Sequence, residues 1–321
     1  MSNFNNNKVP FLQFLTGSDT EVIHGIHGLV EYIPGNTNLI ISVPHGGEMK
    51  PPFMPDRAKA KTDTGQNEEK DKVEDLVIDE DTIDDDTNNK ISTTADIFTQ
   101  EIGRAIAIEY EELTQRRPHV VLANLHRCKM DPNRPVKNAA LGHSLAEAVY
   151  NQYHRFIEDA KKSIDGPGLL IDLHGQNHHQ NSIEIGYLFT KKMLNCEDYT
   201  SISPSIASLI KRSNISVPDL LHGDNSLGAM FDEFGYRSCP SPLQHSPGTD
   251  RYYKGGYITQ THGSNNEGDV DAIQLELPSE IRHENGPVCR DKFSRACARV
   301  LIKFMDTYYK EQDKQPTETV E

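Results

Sequence analysis

No stretch of this 321-residue chain approaches 18 consecutive apolar residues, and its opening MSNFNNNKVPFLQFLTGSDT has no basic segment leading into a long apolar core. The first absence argues against a membrane-spanning helix and the second against a secretory signal, so a soluble, cytoplasmic protein is expected. The NIS triplet at 214–216 therefore carries no weight as a glycosylation acceptor. Cysteine is sparse. Five residues (Cys128, Cys196, Cys239, Cys289 and Cys297) are odd in number and lack CxxC spacing. That pattern offers neither a disulfide framework nor a structural zinc knuckle, and it reads as free thiols in a reducing compartment. Basic charge is in deficit: the formal net charge is −15. Nucleic acid and anionic membrane are poor partners for such a surface, and an anionic substrate would need a local basic pocket. No internal repeat is visible.

What remains is a soluble globular composition, 36% hydrophobic and 25% charged. The length is enough for one large domain or two ordinary ones. Composition shifts at about residues 55–90, where DRAKAKTDTGQNEEKDKVEDLVIDEDTIDDDTNNK is acidic and nearly free of aromatics. It cannot bury enough apolar area to offset its ordering entropy and reads as a mobile insertion. Its DEDTIDDDTNN lacks the glycine and terminal glutamate of a calcium loop.

Strand and helix patterns alternate on either side of the insertion. TADIFTQEIGRAIAIEYEEL has helical spacing with Thr94 as N-cap; HVVLANLHR is a strand, AALGHSLAEAVYNQYHRFIEDAKKSI a long helix and GLLIDLHG a buried strand. SIEIGYLF and DAIQLELP add strands, SPSIASLIKRS a helix, and GPVCRDKFSRACARVLIKFMDTYYKEQ a closing helix with proline near its start. The segment between, SCPSPLQHSPGTDRYYKGGYITQTHG, is loop-rich, and the tail at 313–321 reads as disordered. The alternation predicts an α/β sandwich with helices on both faces of a central sheet.

Three polar groups interrupt strand ends that otherwise read as buried: His45 in LIISVPHGGEMKPP, His174 in LIDLHGQ and Glu276 in IQLELP. Ligands of open α/β sheets bind beyond the carboxyl ends of strands, so such groups can converge from distant parts of the chain. The HGGE segment admits two readings. It is either a strand end followed by a Gly-Gly turn, or a chelate in which Gly46 and Gly47 let His45 and Glu48 face one ion. His45, Glu48 and His174 together make the two-imidazole, one-carboxylate set of catalytic zinc. In NLHRCKMDPNRP, a proline-bent turn presents Asp131, Asn133 and Arg134, an acceptor for a ligand histidine and a forked donor for a carboxylate.

The ordered blocks VPHGGE, NLHRCKMDPNR, IDLHGQ, GGYITQTHG and AIQLELP resemble the zinc carboxypeptidase-like superfamily, and within it the N-formylglutamate amidohydrolase family, over about residues 38–310. The resemblance implies a three-layer sandwich with a mixed, mostly parallel central sheet, as one domain over 1–312 carrying the insertion. It implies one Zn2+ per chain on His45, Glu48 and His174, with Asp131 orienting His45. Glu276 would be the general base and Arg127 would face the developing oxyanion; Asn133 and Arg134 would hold the substrate α-carboxylate, and Tyr257 would contact substrate. The insertion and the LPSEIR continuation after Glu276 depart from the family pattern.

The implied reaction is zinc-dependent hydrolysis of a small, anionic N-acyl amino acid, with metallocarboxypeptidase action on peptide C-termini as the alternative. A non-catalytic binding protein on the same fold is a further alternative. A second substrate carboxylate would need a further cation, for which Arg237, Arg251 and Lys254 are candidates. Oligomeric state is not legible.

Overall fold

A computed structural model describes residues 22–57 and 91–310. Most of the acidic insertion and the C-terminal tail read from the sequence lie outside the described residues.

The strands are β1 (Ile23–His24), β2 (Val30–Ile33), β3 (Leu39–Val43), β4 (His119–Ala123), β5 (Gly168–Gly175), β6 (Ile183–Gly186), β7 (Ser238–Cys239) and β8 (Val270–Leu277). They form one sheet in the order β1-β2-β4-β3-β5-β8-β6-β7. The middle of the sheet, β4-β3-β5-β8, is parallel throughout. β2 meets β4, and β6 meets β8, in antiparallel pairs. The expected α/β sandwich with a mixed, mostly parallel sheet is the observed architecture.

Strand periodicity sorts side chains into two cores. Leu39, Ile41 and Val43 of β3 and Leu169, Ile171 and Leu173 of β5 face one core. Against it pack α1 (Thr99–Thr114) and the long C-terminal helix Gly286–Tyr308, through residues such as Ile102, Ile106, Phe293 and Phe304. Ile40 and Leu170 face the other core with Val149, Tyr153 and Ile157 of the helix Ser144–Ser163. Central strands buried on both faces read as near-continuous apolar runs, which is why GLLIDLHG and DAIQLELP are legible as strands.

Several boundaries differ from expectation. Helix α1 begins at Thr99 after Phe98 in the left-handed region (φ 69), whereas Thr94 lies exposed in the preceding loop. The single long helix expected across AALGHSLAEAVYNQYHRFIEDAKKSI is two, Val136–Ala140 and Ser144–Ser163, because Leu141 (φ 49) and Gly142 (φ 77) take left-handed conformations that no helix continues through. Arg57, assigned to the insertion from composition, is 4% exposed and donates to the carbonyls of Ser92, Arg127 and Asn138. Among the described residues, no helix is long and apolar enough to cross a membrane.

Candidate metal centre and adjoining cavity

The site grows out of the register of two parallel strands. β5 and β8 pair so that Asp172 lies opposite Gln274 and His174 opposite Glu276. With a two-residue period, Asp172 and His174 share one face of β5, and Gln274 and Glu276 one face of β8. Ser42, on the neighbouring strand, shares that side: its hydroxyl donates to Asp172 Oδ1 at 2.8 Å and lies 2.7 Å from the Tyr153 hydroxyl. Asp172 Oδ2 lies 2.8 Å from His174 Nε2 and holds that ring from behind.

His45 follows β3 by two residues and is 1% exposed. Its Nε2 is 2.7 Å from Asp131 Oδ1. Asp131 Oδ2 in turn accepts from Arg127 Nε at 2.9 Å and Arg57 Nη1 at 3.4 Å. The two imidazoles meet edge to face with ring centroids 4.7 Å apart. Each turns Nδ1 toward Asp96 Oδ2, at 3.2 Å in both cases. Both rings therefore have Nε2 held by a private carboxylate and Nδ1 aimed at a shared centre.

His45, Asp96 and His174 offer one ligand atom each within 4.8 Å of one another, and all three are buried. Glu48 is placed elsewhere. Its side chain is exposed, and its charge bears on His126. The backbone explains this. Gly46 packs against Thr99 and Gln100, and a Cβ on Gly47 would run into the backbone of Ala123 and Asn124. Met49 then bridges to Leu125, donating to Asn124 O at 2.9 Å, so the chain continues past the end of β4 and out to solvent. The glycines serve close approach, and the carboxylate beside the imidazoles is Asp96 from the loop before α1.

The donor set fits a metal. Two imidazoles and one carboxylate are the protein ligands of a catalytic zinc that keeps one position open. Ligand atoms about 2.0–2.1 Å from a tetrahedral ion lie about 3.3 Å from each other, close to the 3.2 Å between each imidazole Nδ1 and Asp96 Oδ2. Carboxylates behind both imidazoles fix the ring orientation and tautomer such a site requires.

Charge is dense around this group. Burial opposes ionisation of Asp131, but Arg127, His45 and Arg57 outweigh it and hold its carboxyl well below the ordinary range. Asp96 is likewise held low, against burial, by His45 and His174. Burial also opposes the charged form of His174, yet Asp172, Asp96 and Glu276 raise it well above the usual imidazole value. Glu276 goes the other way. Burial, aided by Asp96 and Glu184, pushes its carboxyl up to about 8. Gln274 Nε2 donates to its Oε1 at 2.9 Å, and Glu184 is its partner across the antiparallel β6·β8 pair.

Four of the remaining residues named from the sequence line a cavity of about 300 Å³ beside the centre. Asn133, Arg134 and Tyr257 all line it, with Lys254, Ser203, Gln260 and Asn265. Asn133 joins the two regions: its Nδ2 is 3.3 Å from His174 Nε2, its Oδ1 accepts from Ile258 N, and its own N–H donates to Asp131 Oδ1. Arg134 donates to Asn133 O at 2.9 Å. Of the three candidate cations, Lys254 lines the cavity; Arg237 and Arg251 are exposed and do not. Arg127 lies between Asp131 and Asp96, 4.0 Å from Asp96 Oδ1.

Sequence reasoning missed Asp96, Asp172 and Arg57. Asp172 had a signal, a carboxylate two positions before His174 on the same face of an apolar strand. Asp96 had none, being a loop residue 51 positions from His45.

No protein-family model and no curated protein sequence matches the chain. Among solved structures, the chain is similar to the crystal structure of N-formylglutamate amidohydrolase from Ralstonia eutropha JMP134, with a TM-score of 0.46 and 13% identity, covering 83% of this chain and 93% of that one. It is similar to a gene product of Agrobacterium tumefaciens, with a TM-score of 0.45 and 9% identity, covering 85% and 91%. It is also similar to the succinylglutamate desuccinylase of Chromobacterium violaceum, with a TM-score of 0.37 and 11% identity, covering 90% and 71%. The site described above rests on its own geometry.

Proposed function

We propose that the protein is a zinc-dependent hydrolase of the amide bond in small N-acyl amino acids, N-formyl-like compounds among them. The observation that carries this reading is the pair of buried imidazoles whose Nε2 atoms are held by Asp131 and Asp172 and whose Nδ1 atoms face Asp96. A carboxyl with its proton affinity raised toward neutrality stands next to them.

Zinc held by His45, Asp96 and His174 would polarise the scissile carbonyl and make water acidic enough to attack at neutral pH. Glu276 would take the proton of the attacking water and pass it to the departing amine nitrogen. A carboxylate whose pKa is lifted by burial is a stronger base than an exposed one, and matching it to the working pH is how such groups gain efficiency. Arg127, between Asp131 and Asp96, would supply fixed positive charge to the developing carbonyl oxyanion. Arg134 and Asn133 would hold the α-carboxylate in the cavity, and Tyr257 would pack against the substrate body. Lys254 is the candidate to meet a second carboxylate.

The cavity would take the amino-acid portion that an N-acyl amino acid and a peptide C-terminus share, so the two reactions differ on the acyl side. Its volume of about 300 Å³ is at the lower end for ligand pockets. Carboxypeptidase action would require an extended groove for the residues preceding the scissile bond. The test is hydrolysis of matched N-formyl, N-acetyl and dipeptide substrates by zinc-loaded protein, with metal content measured on the same samples. Turnover of the small amides above the dipeptides supports the reading; preference for the dipeptides, or zinc without turnover of any amide, contradicts it.

A further inference from the structure

Asp96 is carried on the loop before α1, so something other than sheet pairing must keep it against His174 of β5 and against His45, which follows β3 by two residues. The main-chain bond from Asp96 N to His45 O, at 3.0 Å, holds it from one side. Gly175 N donates to Asp96 Oδ2 at 3.2 Å and Thr99 Oγ1 to Asp96 O at 2.8 Å, and the next residue, Ile97, is met by Arg282, which is 3% exposed and sits in the single π-helical turn Glu280–Glu284 that follows β8.

The hydrogen bonds of Arg282 connect three segments. Nη1 donates to Ile97 O at 3.1 Å, the residue after Asp96. Nε donates to Leu277 O at 3.0 Å, the residue after Glu276. Nη2 donates to Gln176 O at 2.9 Å and Asn177 Oδ1 at 2.8 Å, just beyond His174. Room for the guanidinium exists because residue 175 is glycine: a Cβ added there would collide with it. Arg290 completes the arrangement: it donates to Arg282 O at 2.9 Å, and its guanidinium lies 4.0 Å above the Phe98 ring. Phe98 is the left-handed residue at the start of α1, a conformation that persists only where its surroundings enforce it.

We propose that Arg282 is a positioning residue for the metal centre: it sets Asp96 against His45 and His174 by tying the Asp96 loop to the ends of the two strands that carry His174 and Glu276. This rests on the metal reading of the group. A planar fork of fixed donors can satisfy three segments together, and a lysine ammonium on a flexible stem cannot. Arg282 therefore acts on the metal through Asp96 and touches neither the ion nor the substrate.

The test is a double-mutant cycle on zinc affinity, measured by chelator competition with zinc alone, in wild type, R282K, D96N and R282K/D96N. R282K should weaken zinc by about tenfold or more, the scale on which outer-shell partners of metal ligands act. In the D96N background the same change should cost less than about threefold, since residues acting through one another are not additive. The visible spectrum of the Co2+-substituted R282K protein should move toward that of D96N. Equal losses in both backgrounds, or unchanged affinity in folded R282K, would overturn the proposal while leaving the metal site intact. Wild type that binds no zinc would instead overturn the metal reading and this inference with it. Should R282K fail to fold, R290M reads the same cycle, because it withdraws the bond to Arg282 O while keeping an apolar body over Phe98.

Discussion

His174 and Glu276 are register partners on the parallel pair β5·β8, so one strand pairing brings a candidate ligand and a candidate base together. Neither belongs in a buried apolar strand for packing reasons. Burying an ionisable group is costly unless something compensates it, and here the compensation is mutual and shared with Asp172, Asp96 and Arg127.

Glu276→Gln preserves shape and removes basicity. The variant should fold, bind zinc and substrate, and lose at least about 100-fold in kcat, the lower range for general acid–base catalysis. Zinc-loaded protein with near-normal turnover would remove Glu276 from the chemistry, and loss of zinc would recast it as a ligand.

Asp172→Asn should weaken zinc about 10- to 100-fold, because the amide cannot play the carboxylate's part in holding the His174 ring and raising its basicity. Isothermal titration with zinc reads this directly. Unchanged affinity would mean that His174 Nε2 needs no carboxylate behind it.

Arg134→Lys should lower kcat/KM by about 2 kcal/mol or more, the scale of a lost charge-assisted pair. The comparison is the same amide with its α-carboxylate converted to a neutral carboxamide, on which the loss should be small. Equal losses on both compounds would place Arg134 in another role.

The strands could be read because central strands of a parallel sheet are apolar almost without interruption, and His174 and Glu276 could be read because they break such runs at the ends. Asp96 could not. Loop residues follow no period, and the main-chain groups that meet Asp96, at His45 and Gly175, lie far away in sequence. Glu48 is attractive from the sequence because it is three residues from His45, but nearness along the chain places nothing once the backbone runs on past Gly47. Arg57 was hidden by composition: one buried guanidinium at the edge of an acidic segment does not alter the average. The start of α1 was missed because Phe98, a residue with no capping side chain, takes the left-handed turn there.

His119 offers a pH-dependent test of the fold away from the metal. Burial pushes its imidazole down to about 4, and its Nδ1 accepts from Gly35 N–H at 3.0 Å, a bond that requires the neutral ring. The unfolded chain, with an ordinary value near 6.5, binds the proton more readily between the two values. The contribution of His119 is therefore complete above about pH 6.5, shrinks as pH falls, and is fully lost below about pH 4, with a loss of about 2 kcal/mol by pH 5. Urea unfolding at pH 7 and pH 5 should give a smaller difference for His119→Asn than for wild type by that amount. Identical differences would mean that the ring is not held neutral.

The central claim is that His45, Asp96 and His174, and not Glu48, hold the metal. Zinc content per chain after exhaustive dialysis tests it in one series: wild type, Asp96→Ala, His174→Ala and Glu48→Ala, each checked for folding by its thermal melt. Wild type and Glu48→Ala should carry one zinc each, while His174→Ala and Asp96→Ala should lose it. Stoichiometric zinc in folded Asp96→Ala, with loss of the metal from Glu48→Ala, would contradict the account.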